Sequence, residues 1–231
     1  MKIQSSILYR IFSKLARIFR PDENVKRYSN LSPHLSFANK DEIALKNIKK
    51  YSSLNKGKKM TFLDVGGRAG EFRHIASDYE YFILELDKNE EDIPGINFIQ
   101  GDICSCSEID DESFDIVFSN NVFEHLEKPW DAAMECVRIV KKSGLVIHSA
   151  PFACRYHPVP IDYFRYSAQG LESLFLLTNK IETIHSGYDI TNRREDHRGG
   201  KIPGGLDTPP IDELGGWREN WQVLFVGRKF N

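Results

Sequence analysis

From Thr61 to Phe72 the chain reads Thr-Phe-Leu-Asp-Val-Gly-Gly-Arg-Ala-Gly-Glu-Phe. An apolar run leads into an acid, Asp64, and then into a turn carrying Gly66, Gly67 and Gly70. Glycines at such a turn let a ligand approach bare backbone. A helix starting just after them would aim its free N–H groups and positive dipole end at that ligand. A second apolar run follows at Tyr81-Phe82-Ile83-Leu84-Glu85-Leu86-Asp87. Glu85 comes about twenty residues after the first glycine, the spacing at which a Rossmann-like unit presents an acid to a ribose. Turn and acid together predict a nucleoside-containing ligand. Asp87 reads as an exposed loop acid one step beyond the strand end.

The nicotinamide and flavin fingerprint G-x-G-x-x-G is not met. Counted from Gly66 its positions hold Gly66, Arg68 and Glu71; counted from Gly67 they hold Gly67, Ala69 and Phe72. No G-K-S/T follows the turn, which excludes a phosphate-cradling P-loop.

A second chemically rich stretch runs from Ala150 to Ser167 and holds Arg155, Tyr156, His157, Asp162, Tyr163, Arg165 and Tyr166 among Pro151, Pro158 and Pro160. A stiff loop with titratable and aromatic groups suits an acceptor pocket. His157 is the candidate general base, with Asp162 as the second catalytic candidate. In the competing reading Asp162 pairs with Arg165 and holds the loop in shape. The four cysteines, Cys104, Cys106, Cys136 and Cys154, form no C-x-x-C pair and no zinc spacing, so the sequence offers no metal site. Unpaired cysteines suit a reducing cytoplasm.

The elements that position these groups follow from patterning. From Met60 to Ala150 apolar strands and helical stretches alternate, which means parallel β-α-β units. A short strand is expected at Ile96 to Ile99, and Ser113 to Leu126 holds a fourth strand and the segment that follows it. A helix follows from Pro129 to Val140. Lys141 to Gly144 turns into a strand at Leu145 to His148. Asn120 and Asn121 then fall at the C-terminal end of the fourth strand, where α/β proteins place their sites. Further on, Ser167 caps a helix reaching Leu177, Lys180 to Tyr188 reads as a strand, and Trp221 to Lys229 as the last one. Upstream, a helix is expected over Asp41 to Ser52, capped by Asn39 or Asp41.

The ordered set of segments resembles the class I S-adenosylmethionine-dependent methyltransferases, in particular those of the type 11 kind. Asp64, Gly66 and Gly70 match motif I, D-x-G-x-G-x-G, with Arg68 where the middle glycine is usual. Gln100-Gly101-Asp102-Ile103 resembles the family's G-D segment. The resemblance implies that Asp102 reads the adenine amino group and that Ile103 packs on the ring. Phe114-Asp115-Ile116-Val117 and Glu124-His125-Leu126 are similar to the fourth strand and the segment after it. The resemblance runs from about Met60 to Pro151. It implies an α/β fold with a Rossmann-like, seven-stranded, mostly parallel sheet, helices on both faces and an antiparallel last strand. It also implies S-adenosyl-L-methionine, held by Asp64, Gly66, Gly67, Gly70, Glu85, Asp102, Ile103 and Asn120. The Glu124-His125 pair recurs among members with different acceptors, so a structural or cofactor-side role is expected for His125. Pro151 to Tyr166 resembles the P-F-x-x-x-x-H-P-x-P-x-D-Y-x-R segment of a subset of these enzymes.

Residues 1–59 form an N-terminal part before the catalytic domain at 60–231. Met1 to Arg20 holds Ile3, Ile7, Leu8, Ile11, Phe12, Leu15, Ile18 and Phe19 at helical spacing, with basic residues between and no acid. It is a basic amphipathic helix that either caps the cofactor site or lies on an anionic membrane surface. The stretch Asp189 to Glu219 is long and polar and holds Arg193, Arg194, His197, Arg198 and Lys201. It is either a lid or disordered. If it faces the site together with Arg155 and Arg165, the acceptor is anionic, with Tyr156, Tyr163 and Tyr166 on its ring faces. A net charge of −2 and a pI near 6.4 argue against nucleic acid. So does Asn120-Asn121-Val122-Phe123 where an N-P-P-Y/F tetrad would stand. The expected activity is O-methylation of a small molecule, sugar or glycan. The alternatives are a quinone or other membrane lipid as acceptor, or a catalytically silent cofactor-binding scaffold.

Overall fold

The computed structural model describes residues 39–68, 70–87, 93–154, 156–158, 160–189 and 221–230, and the backbone of Arg194–Glu195 and Arg218–Glu219. The amphipathic segment 1–20 and most of the basic stretch 193–201 lie outside the described residues. In chain order the elements are α1 (Lys40–Leu54), β1 (Met60–Val65), β2 (Tyr79–Glu85), β3 (Asn97–Gln100), β4 (Phe114–Asn120), α2 (Pro129–Ile139), β5 (Val140–Ala153), α3 (Ala168–Leu176), β6 (Ile181–Asp189), the two-residue β7 (Arg194–Glu195) and β8 (Arg218–Glu219), and β9 (Trp221–Lys229). Single 3₁₀ turns stand at Arg73–Ala76 and Phe123–His125.

Seven strands form one sheet in the order β3-β2-β1-β4-β5-β9-β6. The first five pair in parallel, while β9 runs antiparallel to both β5 and β6. Period-two alternation sends neighbouring side chains to opposite faces, so each strand feeds two cores. On one face Leu63, Val117 and Val146 pack with Ala133 and Val137 of α2 and with Leu171 and Phe175 of α3. On the other, Phe62, Ile116 and Ile147 pack with Ala44 and Ile48 of α1. The boundary drawn at residue 59 thus runs between two elements that share a core.

Local signals set the helix starts. The Asn39 side chain accepts from Asp41 N at 2.8 Å, so Asn39 is the cap of α1, and Asp41 and Glu42 complement the dipole. Pro129 opens α2 at a position where its missing N–H costs nothing. Ser167 Oγ accepts from Gly170 N at 3.0 Å and caps α3.

Two expectations are corrected. No α-helix follows the glycine turn. The link from Val65 to Tyr79 is filled by successive tight turns, with Gly70 N on Gly67 O at 2.8 Å, Arg73 N on Gly70 O at 3.0 Å and Ile75 N on Phe72 O at 3.0 Å. One 3₁₀ turn supplies no dipole of consequence. Lys141 to Gly144 does turn, with Ser143 at φ +61°, but inside a β5 that begins at Val140 rather than Leu145: three extra residues loop out where Phe114 pairs with Val140 and Ile116 with Leu145.

Candidate cofactor cleft and the adjoining histidine cluster

The C-terminal ends of β1, β2 and β4 open onto a cleft of about 650 Å³. Gly66, Gly67, Glu85, Asp102, Ile103 and Asn120 all line it, as do Arg68, Phe72, Asp87, Asn121, Val122, His125, Leu126 and Pro160. Asp87 is exposed, as read from the sequence, yet it lines the cleft as well.

The floor needs glycine for stated reasons. Gly66 has φ +70°, and a Cβ there would sit 2.6 Å from Val122 Cγ2. A Cβ on Gly67 would sit 2.6 Å from the Asp64 carboxyl. Arg68 adopts φ +47°, the left-handed region usually left to glycine, with its side chain exposed. Its N–H donates to Glu85 Oε1 at 2.6 Å, which ties the second acid to the first turn. On the far wall Asp102 Oδ1 accepts from Cys104 N at 2.8 Å, and Ile103 is buried. Asn120 is held from two sides, its Oδ1 accepting from Ser149 Oγ at 2.5 Å and from Lys40 Nζ at 2.7 Å.

Two expected cofactor residues do not line this cleft. Asp64 is 1% exposed and lies behind the turn, where it accepts a hydrogen bond from Tyr81 Oη. Burial, with Glu85 and Glu71 nearby, pushes its carboxyl up to about 7 despite that bond. Gly70 also faces inward, where a Cβ would meet Ile96 Cδ1 at 2.4 Å. Both shape the turn from beneath.

His157 and Asp162 stand beside the cleft, behind His125. The loop that carries them docks on the 3₁₀ turn after β4. Glu124 O accepts from Tyr163 N at 2.8 Å and Phe164 N at 3.2 Å, and Phe123 O accepts from Tyr166 Oη at 2.9 Å. Tyr166 is therefore buried, not free to pack on an acceptor, which corrects one expectation. Tyr156 and Tyr163 are exposed. Asp162 and Arg165 form the expected pair, with Arg165 Nη2 on Asp162 Oδ2 at 2.6 Å and Nη1 on Oδ1. Burial works against the Asp162 charge, but Arg165 and the His157 N–H at 2.8 Å outweigh it and hold its carboxyl below the usual range. His125 Nδ1 lies 2.7 Å from Ile161 O, which places the proton on Nδ1 and leaves Nε2 with its lone pair. Burial, with His157 nearby, lowers the His125 pKa. Glu124 is fully buried, and burial pushes it up to about 7.

Comparison with known proteins bears on what this cleft holds. Residues 61–148 match the family model described as methyltransferase domain. An uncharacterized methyltransferase of Mycobacterium tuberculosis is 37% identical over 97 residues, which are 38% of this chain and 38% of that protein. The chain therefore matches about two fifths of the length of such relatives. An S-adenosylmethionine-dependent methyltransferase from Mesorhizobium loti superposes with a TM-score of 0.54 at 12% identity, covering 83% of this chain and 99% of the other. The cyclase SpnF superposes with a TM-score of 0.56 at 14% identity, covering 85% and 86%. These two likenesses concern the fold. Residues 61–148 carry a methyltransferase domain, and the fold is that of the class I S-adenosylmethionine-dependent methyltransferases. The family's cofactor is S-adenosyl-L-methionine, and the cleft fits it in volume and chemistry. It has bare backbone at Gly66, a carboxylate at the β2 edge and an apolar wall at Ile103 and Leu126. Among the described residues no helix is long and apolar enough to cross a membrane.

Proposed function

We propose that this protein transfers the methyl group of S-adenosyl-L-methionine to an oxygen of a small-molecule, sugar or glycan acceptor. The carrying observation is that Gly66, Gly67, Glu85, Asp102, Ile103 and Asn120 converge on one cleft whose mouth is shared with His125 and Pro160. Glu85 takes the ribose hydroxyls, Asp102 and Ile103 take the adenine, and Asn120 borders the methionine end. Methyl transfer then asks for three things: in-line alignment, exclusion of water and loss of the acceptor proton. The cluster of Glu124, His125 and His157 is the chemistry available for the last of these. Asp162 is spent on Arg165 and serves to orient His157. The exposed Tyr156 and Tyr163 offer flat apolar faces suited to a sugar ring. An anionic acceptor has thinner support, because Arg165 is committed to Asp162 and Arg155 and most of the 193–201 cluster lie outside the described residues.

The test is calorimetry with S-adenosylhomocysteine, followed by transfer of label from methyl-labelled cofactor to a panel of hydroxyl-bearing sugars and glycans. Binding and a base-stable labelled ether support the proposal. Failure to bind the cofactor product refutes it. Binding with no transfer to any acceptor favours a silent scaffold.

A further inference from the structure

Glu124 is an anomaly in a well-packed core. Its side chain is fully buried, and neither carboxylate oxygen has a hydrogen-bond partner. A carboxylate so placed needs a cation or a donor to justify its burial. What faces it is two imidazoles. His125 Nε2 lies 3.7 Å and His157 Nε2 lies 3.9 Å from Glu124 Oε1, both too far for a hydrogen bond. The two rings meet edge to face with centroids 5.1 Å apart.

The other nitrogen of each ring is already oriented from behind. His125 Nδ1 donates to Ile161 O at 2.7 Å. His157 Nδ1 lies 3.4 Å from Asp162 Oδ2, and that carboxylate is itself fixed by Arg165. Arg165 Nη2 also lies 3.4 Å from His157 Nδ1, but it donates to Asp162 at 2.6 Å. Carboxylate or carbonyl behind, imidazole in front, is the arrangement that fixes metal-ligating histidines. One ligand atom from each of Glu124, His125 and His157 can be chosen so that all three lie within 4.8 Å of one another. A tetrahedral ion with bonds of about 2.0–2.2 Å wants its ligands about 3.3 Å apart, so small side-chain rotations close the site.

We propose that Glu124, His125 and His157 bind one divalent first-row transition-metal ion of the zinc class, with an open position toward the cleft that His125 lines. Two imidazoles and one carboxylate are a ligand set for such ions, and three protein ligands leave room for an exogenous oxygen. The role of the ion rests on the function proposed above. The acceptor hydroxyl binds at the open position and releases its proton to solvent. Its oxygen then forms a bond to the methyl carbon as the carbon–sulfur bond breaks. The electron pair goes to sulfur, giving neutral S-adenosylhomocysteine.

The test uses the full chain, stripped with chelator and titrated with Co²⁺ as a spectroscopic probe. One Co²⁺ per chain is expected, with d–d bands of a low-symmetry site that Zn²⁺ abolishes. Glu124→Gln and His157→Ala should each weaken Co²⁺ binding at least 100-fold, and Asp162→Asn roughly 10–100-fold as a partner behind a ligand. The same samples are titrated with S-adenosylhomocysteine, whose affinity should stay within about twofold in Glu124→Gln and His157→Ala, showing that the fold is intact. Wild type taking up no Co²⁺ overturns the site, as does equal uptake by wild type and by either variant that still binds the cofactor product. Should Co²⁺ bind as described while S-adenosylhomocysteine does not, the metal site stands and the methyltransferase function falls.

Discussion

At the scale of single residues, the cofactor reading depends most on Glu85. Its carboxylate is tied to the glycine turn through Arg68 N at 2.6 Å, so the acid and the bare backbone reach the ligand as one unit. Glu85→Ala removes two charge-assisted bonds to a ribose and should weaken S-adenosylhomocysteine binding by about 1.5–3 kcal/mol, or roughly 10–100-fold. Undiminished affinity in calorimetry would assign the ribose to another group, and the exposed Asp87 would be the next to mutate. Arg68 is the residue that sets this chain apart from motif I. It departs from glycine in side chain only, since its φ of +47° is the conformation a glycine would take. Arg68→Gly should therefore leave the cofactor-product affinity within about threefold of wild type. A tenfold change in either direction would show that the guanidinium takes part in binding.

At the scale of elements, the decisive contact is the docking of loop 154–166 on the 3₁₀ turn at Phe123–His125. The Asp162–Arg165 pair holds the loop in the shape that docks. Asp162 is almost wholly buried and Arg165 about one quarter exposed. Arg165→Ala strands a buried carboxylate and should cost about 2–4 kcal/mol in urea unfolding at neutral pH. Arg165→Lys should recover only part, because an ammonium cannot reproduce the two-pronged contact. Full recovery by lysine would mean that charge alone matters there. The same contact shows what was legible beforehand. Gly66, Glu85, Asp102 and Asn120 were readable because each lies at a strand end, and strand ends of a parallel sheet converge by topology. The Asp162–Arg165 pair was readable because its members are three residues apart. Glu124 beside His157 was not, since backbone bonds from Tyr163 and Phe164 to Glu124 O bring together residues 33 apart in sequence. The supposed helix after the glycine turn failed for a different reason. Its sequence fits a helix start, but the backbone closes instead in successive tight turns and a single 3₁₀ turn at Arg73–Ala76.

At the scale of the whole molecule, the sheet separates two cores, and each contains an ionisable group whose charged form its surroundings disfavour. Asp64 projects from β1 toward the face that packs on α1, with its carboxyl raised from 3.8 to about 7. His148 projects from β5 toward the opposite face between Phe123 and Phe175, with Nδ1 2.7 Å from Ser119 Oγ, and burial lowers it from 6.5 to about 3. Linkage gives these two groups opposite signs. For Asp64 the folded chain holds the proton more tightly than the unfolded one, so its contribution is full below about pH 4 and is lost as the pH rises to about 7. For His148 the unfolded chain holds the proton more tightly, so its contribution is full above 6.5 and is lost as the pH falls toward 3. In wild type the two slopes largely cancel between these limits, and single variants should expose them. Relative to Asp64→Asn, wild type should lose on the order of 2–4 kcal/mol of unfolding free energy between pH 4 and pH 8. Relative to His148→Asn, it should gain a similar amount, on the order of 2–4 kcal/mol, between pH 3.5 and pH 7. Urea unfolding of the three proteins at four pH values measures both. Parallel curves for wild type and Asp64→Asn would mean that water or a cation reaches the carboxylate behind the turn, so that the floor of the cleft is open from below.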